Sequence, residues 1–121
     1  MSGDDGLVTD LAVEQALRTA AAVVRHDLEA TGAWTAQAAA QLADRLAERR
    51  WWVSQWPAGA EHVPGLLAQD VQEAVHASSD ELWPCCPEHR DHPLFVEPDL
   101  GPDAFWVCHR TGLPVAAVGG L

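Results

Sequence analysis

Six of the nine cysteine and histidine residues in this chain fall between positions 85 and 109. The run Cys85-Cys86-Pro87-Glu88-His89-Arg90-Asp91-His92 is followed by Cys108-His109. Thiolates and imidazoles are the donors that Zn²⁺ takes in tetrahedral structural sites, and two donor clusters separated by a short hairpin can close one such site. Cys86 and His89 form a C-x-x-H turn, and Pro87 restricts that turn so that both side chains can face one ion. Cys108 stands at the end of an expected strand, before a tight turn through Gly112. The fourth donor is open among His92, His109, Cys85 and water. His92 is preferred, because it lies three residues past His89 and a continued turn brings it round. His109 adjoins Cys108 and Cys85 adjoins Cys86, and neighbours on an extended chain point to opposite faces. The expected ligand set is Cys86, His89, His92 and Cys108. The expected cofactor is one zinc, with another transition metal as the alternative.

Other chemistries compete for the same residues. Cysteine is often simply buried, with no ligand role. Cys85 and Cys86 could form a vicinal disulfide only with strain. Glu88 beside a metal raises the idea of a small zinc-dependent hydrolase, in which a carboxylate works with metal-bound water. Against it, Glu88 sits inside the ligand turn and no H-E-x-x-H pattern occurs. The chain shows no phosphate-cradling glycine loop, dinucleotide fingerprint or Ser/His/Asp order. His26, His62 and His76 stand alone and read as solvent-facing or locally hydrogen-bonded side chains.

The elements that must position these donors fall into two parts. Residues 1–8 read as a frayed polar leader. Thr9 or Asp10 is expected to cap a helix to about Ala30, with Val13, Leu17, Ala20, Val24 and Leu28 on one apolar stripe. Glu14 and Arg18 can pair on its wet side, and Gly32 suits a left-handed C-cap. Thr35 is expected to cap a second helix to about Arg50, with Ala39, Leu42, Ala43 and Leu46 inward. Trp51, Trp52, Val53 and Trp56 then form a buried strand or a helix end. Pro64 opens a third helix to about Ala77, with Leu67, Val71, Ala74 and Val75 in the core. The six tryptophans read mainly as filling for the core and the seam between the two parts.

From Leu82 onward, Pro84, Pro87, Pro93, Pro98, Pro102 and Pro114 exclude long helices. Leu94–Glu97, Ala104–Cys108 and Val115–Val118 read as three short antiparallel strands joined by Gly- and Asp-rich turns. Residues 82–118 resemble a zinc ribbon, in which knuckle turns at the ends of a β-hairpin clamp one Zn²⁺. The resemblance implies a ligand at position 111, where this chain has Thr111. The expected fold is α+β: a helical region over 1–81, and a zinc-ribbon-like β-meander over 82–121 docked on it as one compact unit.

A module of some forty residues cannot bury much apolar surface, and such modules usually need a metal, disulfides or a partner to fold. A metal would meet that need with no catalytic role. Three cysteines are an odd number, and Met1-Ser2-Gly3-Asp4-Asp5 is no cationic-apolar leader, so the cytoplasm is the expected compartment. Lys, Asn, Ile and Tyr are absent, and these are residues with AT-rich codons, which implies a GC-rich bacterial genome. Net charge is −11. Residues 57–121 carry only Arg90 and Arg110 against ten acids, which disfavours nucleic acid and anionic membranes. The one cationic concentration is Arg45, Arg49 and Arg50 beside Trp51 and Trp52, a mixture common at protein interfaces. The expected function is a non-enzymatic accessory module that binds a protein partner or a second copy of itself. The alternatives are the hydrolase and a nucleic-acid-binding regulator.

Overall fold

The computed structural model describes residues 2–121, with side chains from residue 10 onward. Helix α1 spans Ser2–Ala30, α2 Ala36–Gln55 and α3 Val63–Ser78, with a short 3-10 helix at Pro57–His62. Three strands follow: β1 Phe95–Glu97, β2 Phe105–Val107 and β3 Pro114–Ala117. They form an antiparallel meander in the order β1-β2-β3. The fold is α+β, as the change in sequence character at Leu82 predicts.

The apolar stripe of α1 is the one expected: Leu17, Ala20, Val24 and Leu28 are buried, and Val13 packs against them. Its start is not. The helix begins at Ser2, so neither Thr9 nor Asp10 caps it and the backbone of residues 2–8 is helical. Met1 and the Thr9 side chain lie outside the described residues. Positions 4 and 5, both Asp, fall in the first turn, where the helix dipole favours negative charge. Glu14 reaches across to Arg50 on α2 at 3.0 and 3.2 Å rather than along its own helix to Arg18. At the other end Gly32 takes φ +73° and Ala33 N–H bonds to the Leu28 carbonyl at 2.8 Å, which completes a left-handed C-cap.

The Thr35 hydroxyl caps α2 by accepting from Ala38 N–H at 3.0 Å. The helix runs past Arg50 to Gln55, so Trp51 and Trp52 are helical and the strand alternative is excluded. Its buried face is Ala38, Leu42 and Val53, while Ala43 is exposed rather than inward. Pro64 lies in the first turn of α3, and Leu67, Val71 and Ala74 are buried there as predicted, with Val75 half-buried.

The sheet lays Val96 and Trp106 onto the helices, with Trp106 wholly buried. Register pairs Val96 with Trp106 and Trp106 with Ala116, so these three share the inner face. Gly65 on α3 makes this close approach possible: a Cβ there would stand 2.8 Å from that of Ala104. One apolar core runs from Leu17 and Val24 through Leu67 and Val71 to Trp83, Leu94 and Trp106. Asp27, fully buried on α1, fastens the end of the chain to it. Its carboxyl oxygens accept from Trp106 Nε1–H at 2.9 Å, Gly119 N–H at 2.6 Å and Leu121 N–H at 3.0 Å.

Candidate metal centre

The loop between α3 and β1 carries most of the donors, and its backbone is tightly tied. Cys86 N–H bonds to the His92 carbonyl at 3.0 Å and His92 N–H to that of His89 at 3.3 Å. A bridge pairs Cys85 with Pro93, and Leu94 N–H bonds to Pro84 at 2.7 Å. Gln72, buried on α3, donates its amide to the Trp83 and Leu94 carbonyls, one on each side of the loop. Trp83 is pinned further by its indole N–H to the Thr31 hydroxyl at 3.0 Å and its backbone N–H to His76 Nε2 at 3.1 Å. The loop is thus closed at its neck and held to two helices.

The second part of the site lies past the end of β2. Cys108 N–H bonds to the Leu113 carbonyl at 3.1 Å, and Gly112 N–H bonds back to Cys108 at 2.7 Å. Gly112 sits at φ +74°, a left-handed turn position that other residues rarely adopt. This turn presents the Cys108 sulfur to the first loop.

One donor atom each from Cys86, His89, His92 and Cys108 lies within 4.8 Å of all the others. Both cysteines are buried and both histidines are half-buried. His89 Nδ1 is 3.6 Å from Cys86 Sγ and 3.5 Å from Cys108 Sγ. His92 Nε2 is 3.7 Å from Cys108 Sγ. Zinc bonds of about 2.3 Å to sulfur and 2.0–2.1 Å to nitrogen, at a tetrahedral angle, set a sulfur–nitrogen edge of about 3.6 Å. The observed edges have that length, so the four side chains can hold a metal ion without rearrangement.

Supporting contacts fix the donors' states. His92 Nδ1 lies 2.8 Å from the Pro93 carbonyl, which can only accept. Nδ1 therefore carries the proton and Nε2 offers its lone pair to the cluster, an arrangement usual for metal-bound imidazole. The Cys108 thiol is pulled down to about 6, first by the Thr111 side chain. Burial opposes this shift; the backbone N–H groups of Thr111 and Arg110 and the His89 ring add to it. Such donors favour the thiolate, the form that binds metal.

The rejected candidates face elsewhere. Cys85 is exposed, with Sγ 3.6 Å from the Arg90 carbonyl and 3.7 Å from that of Cys86. His109 stacks on Phe95 with ring centroids 4.3 Å apart, and its Nε2 meets Glu97 at 3.2 Å. All three cysteines are free, so no vicinal disulfide exists. Glu88 is exposed, and no carboxylate belongs to the cluster among the described residues. Thr111 occupies the second-knuckle ligand position as a hydrogen-bond donor to Cys108, so three of the four donors come from the first loop.

A protein family described as a domain of unknown function, DUF8819, matches residues 13–118. The chain belongs to the DUF8819 family. The DUF8819 match contains all four clustered donors together with Asp27, Gln72 and Thr111, the residues that support them and the seam. Neither a curated protein nor a solved structure matches the chain.

Sequence reasoning passed over Asp27 and Gln72. Both have a signal in hindsight. Asp27 lies three residues past Val24 and seven past Ala20, on the edge of the apolar stripe of α1. Gln72 lies beside Val71, within the buried face of α3. A polar residue at such a position needs an internal partner.

Proposed function

We propose that this DUF8819 chain is a non-enzymatic accessory module whose β region is held by one structural Zn²⁺ on Cys86, His89, His92 and Cys108. The observation that carries the reading is the closed set of two sulfur and two nitrogen donors at tetrahedral spacing. Zinc is the metal that such a soft, mixed tetrahedral set favours. A full complement of protein donors leaves no position for a reacting water, which argues for a structural role over the hydrolase. The need is also plain: strands of three, three and four residues are too short to be stable alone. When bound, the ion would clamp the neck of the first loop to the end of β2, as in the zinc ribbon that this region resembles.

The partner is proposed to be a protein or a second copy of the chain. Arg45, Arg49 and Arg50 give less support than their sequence suggests, because each is paired within the chain. Arg49 meets Asp70 at 2.6 and 2.9 Å, Arg50 meets Glu14, and Arg45 meets Glu48. What remains on that surface is aromatic. Trp51 is 67% exposed and Trp56 44% exposed, while Trp83 and Trp106 are buried at the seam. Exposed tryptophan is a common interface anchor. The charge of −11 speaks against nucleic acid, and no helix among the described residues is long and apolar enough to cross a membrane.

Metal analysis of protein purified without a histidine tag tests the zinc reading. One equivalent per chain is expected, and cobalt substitution should give a sulfur-to-metal charge-transfer band with tetrahedral d–d absorption. Well under one equivalent, or an octahedral cobalt spectrum, would refute it.

A further inference from the structure

The outer face of the sheet carries a feature that the metal reading does not use. Register places Phe95, Glu97, Phe105, Val107 and Pro114 on the side facing away from the helices. Between them lies a groove of about 510 Å³ lined by Glu97, Pro98, Asp99, Phe105, Val107 and Pro114. Its floor is apolar, two of its six lining residues are acids, and none is a cation. Glu97 also meets His109 Nε2 at 3.2 Å, and Asp99 accepts from Gln69 at 3.0 Å. Leu100, Phe105, Leu113 and Val115 are half of the large apolar side chains exposed among the described residues, and they belong to this short stretch of chain.

The geometry points to this groove as the docking site for a basic, apolar segment of another protein. An apolar floor with an acidic rim is complementary to an aliphatic anchor flanked by Arg or Lys. A second copy fits poorly. Arg25, Arg45, Arg49, Arg50 and Arg110 are already paired with carboxylates of their own chain, so a copy has few free cations to offer. Strand addition fits poorly as well. On the edge strand β3, Pro114 has no N–H and the register slips beside Val107, and both features obstruct a further strand. The groove therefore receives side chains rather than a backbone. This inference concerns a different face from Trp51 and Trp56 and does not rest on them.

The test uses the full zinc-loaded chain, isotope-labelled for NMR. The probe is a short blocked peptide alternating arginine with valine. Two control peptides replace valine with serine or arginine with glutamate. The expected result is saturable binding, with amide shifts confined to Glu97, Asp99, Phe105, Val107 and Val115 and much weaker binding of both controls. Phe105→Ala should weaken binding by about tenfold or more, as loss of an anchor does. The double change Glu97→Gln with Asp99→Asn should weaken it by about three- to tenfold at low salt. Zinc content and amide dispersion of each variant are read on the same samples, which separates lost binding from lost fold. Absent binding overturns the inference. So does equal binding of the serine peptide, or shifts scattered over the acidic surface, since either means charge attraction alone. Sedimentation showing a dimer that Phe105→Ala dissolves would also overturn it, by making the occupant a second copy.

Discussion

At the residue scale, the candidate site was legible because donor chemistry survives without knowledge of the fold. A Cys-Pro-x-His turn and a second Cys before a glycine turn already specify two halves of a cage. Choosing His92 over His109 and Cys85 needed only the alternation of an extended chain, and the Cys85–Pro93 bridge shows that alternation at work. The sequence could not show that Thr111 would serve Cys108 as a hydrogen-bond donor, because that depends on the turn closing first. The expected consequence is selective. Cys86→Ser, His89→Ala, His92→Ala and Cys108→Ser should each remove most of the metal, measured as equivalents per chain. Cys85→Ser and His109→Ala should leave it near one equivalent. Thr111→Val should keep the metal at saturation but weaken its hold in a competition with a chelator, because it removes a supporting contact and no ligand. Loss of metal in Cys85→Ser would mean that Cys85 is a ligand.

At the scale of elements, periodicity gave the faces and missed the ends. The stripe of α1 and the core face of α3 followed from 3.6-residue spacing. The extension of α1 to Ser2 and of α2 to Gln55 did not, because boundaries depend on what the flanking turns can reach. Two tests concern how elements meet. Asp27→Ala would leave the buried Trp106 indole N–H and two backbone N–H groups without their acceptor. Unsatisfied buried donors cost about 1–3 kcal/mol each before relaxation. A net loss of about 3 kcal/mol is expected, read as a fall of roughly 10 °C in Tm; a fall of a degree or two would show that water replaces the carboxylate. Gly65→Ala weighs helix propensity against packing. Alanine gains up to about 1 kcal/mol within a helix, yet its methyl would meet Ala104 at 2.8 Å. Overpacking at a buried seam costs about 1–3 kcal/mol, so the variant should melt earlier than the parent.

At the scale of the whole molecule, two regions of unlike stability share one core. The helices bury Leu17, Val24, Leu67 and Val71 among themselves and hold their own backbone hydrogen bonds. The β region contributes Trp83, Leu94, Val96 and Trp106 to that core but has only short strands and tied loops to shape it. If zinc closes the cage, its binding free energy is folding free energy for that region. Removing it should therefore act locally before it acts globally. Treatment with a chelator at neutral pH should raise hydrogen exchange across residues 82–121 while α1 and α2 stay protected, with α3 intermediate because Gln72 loses its partners Trp83 and Leu94. The sign with pH follows from the donors. Two thiolates and two imidazoles compete with protons for the metal, so affinity should fall on acidification and recover on neutralisation. Cys86→Ser should reproduce the chelated exchange pattern without any chelator. An unchanged exchange profile in residues 82–121 after complete metal removal would show that the core and the tied loops suffice, and that the metal is a passenger rather than a clamp.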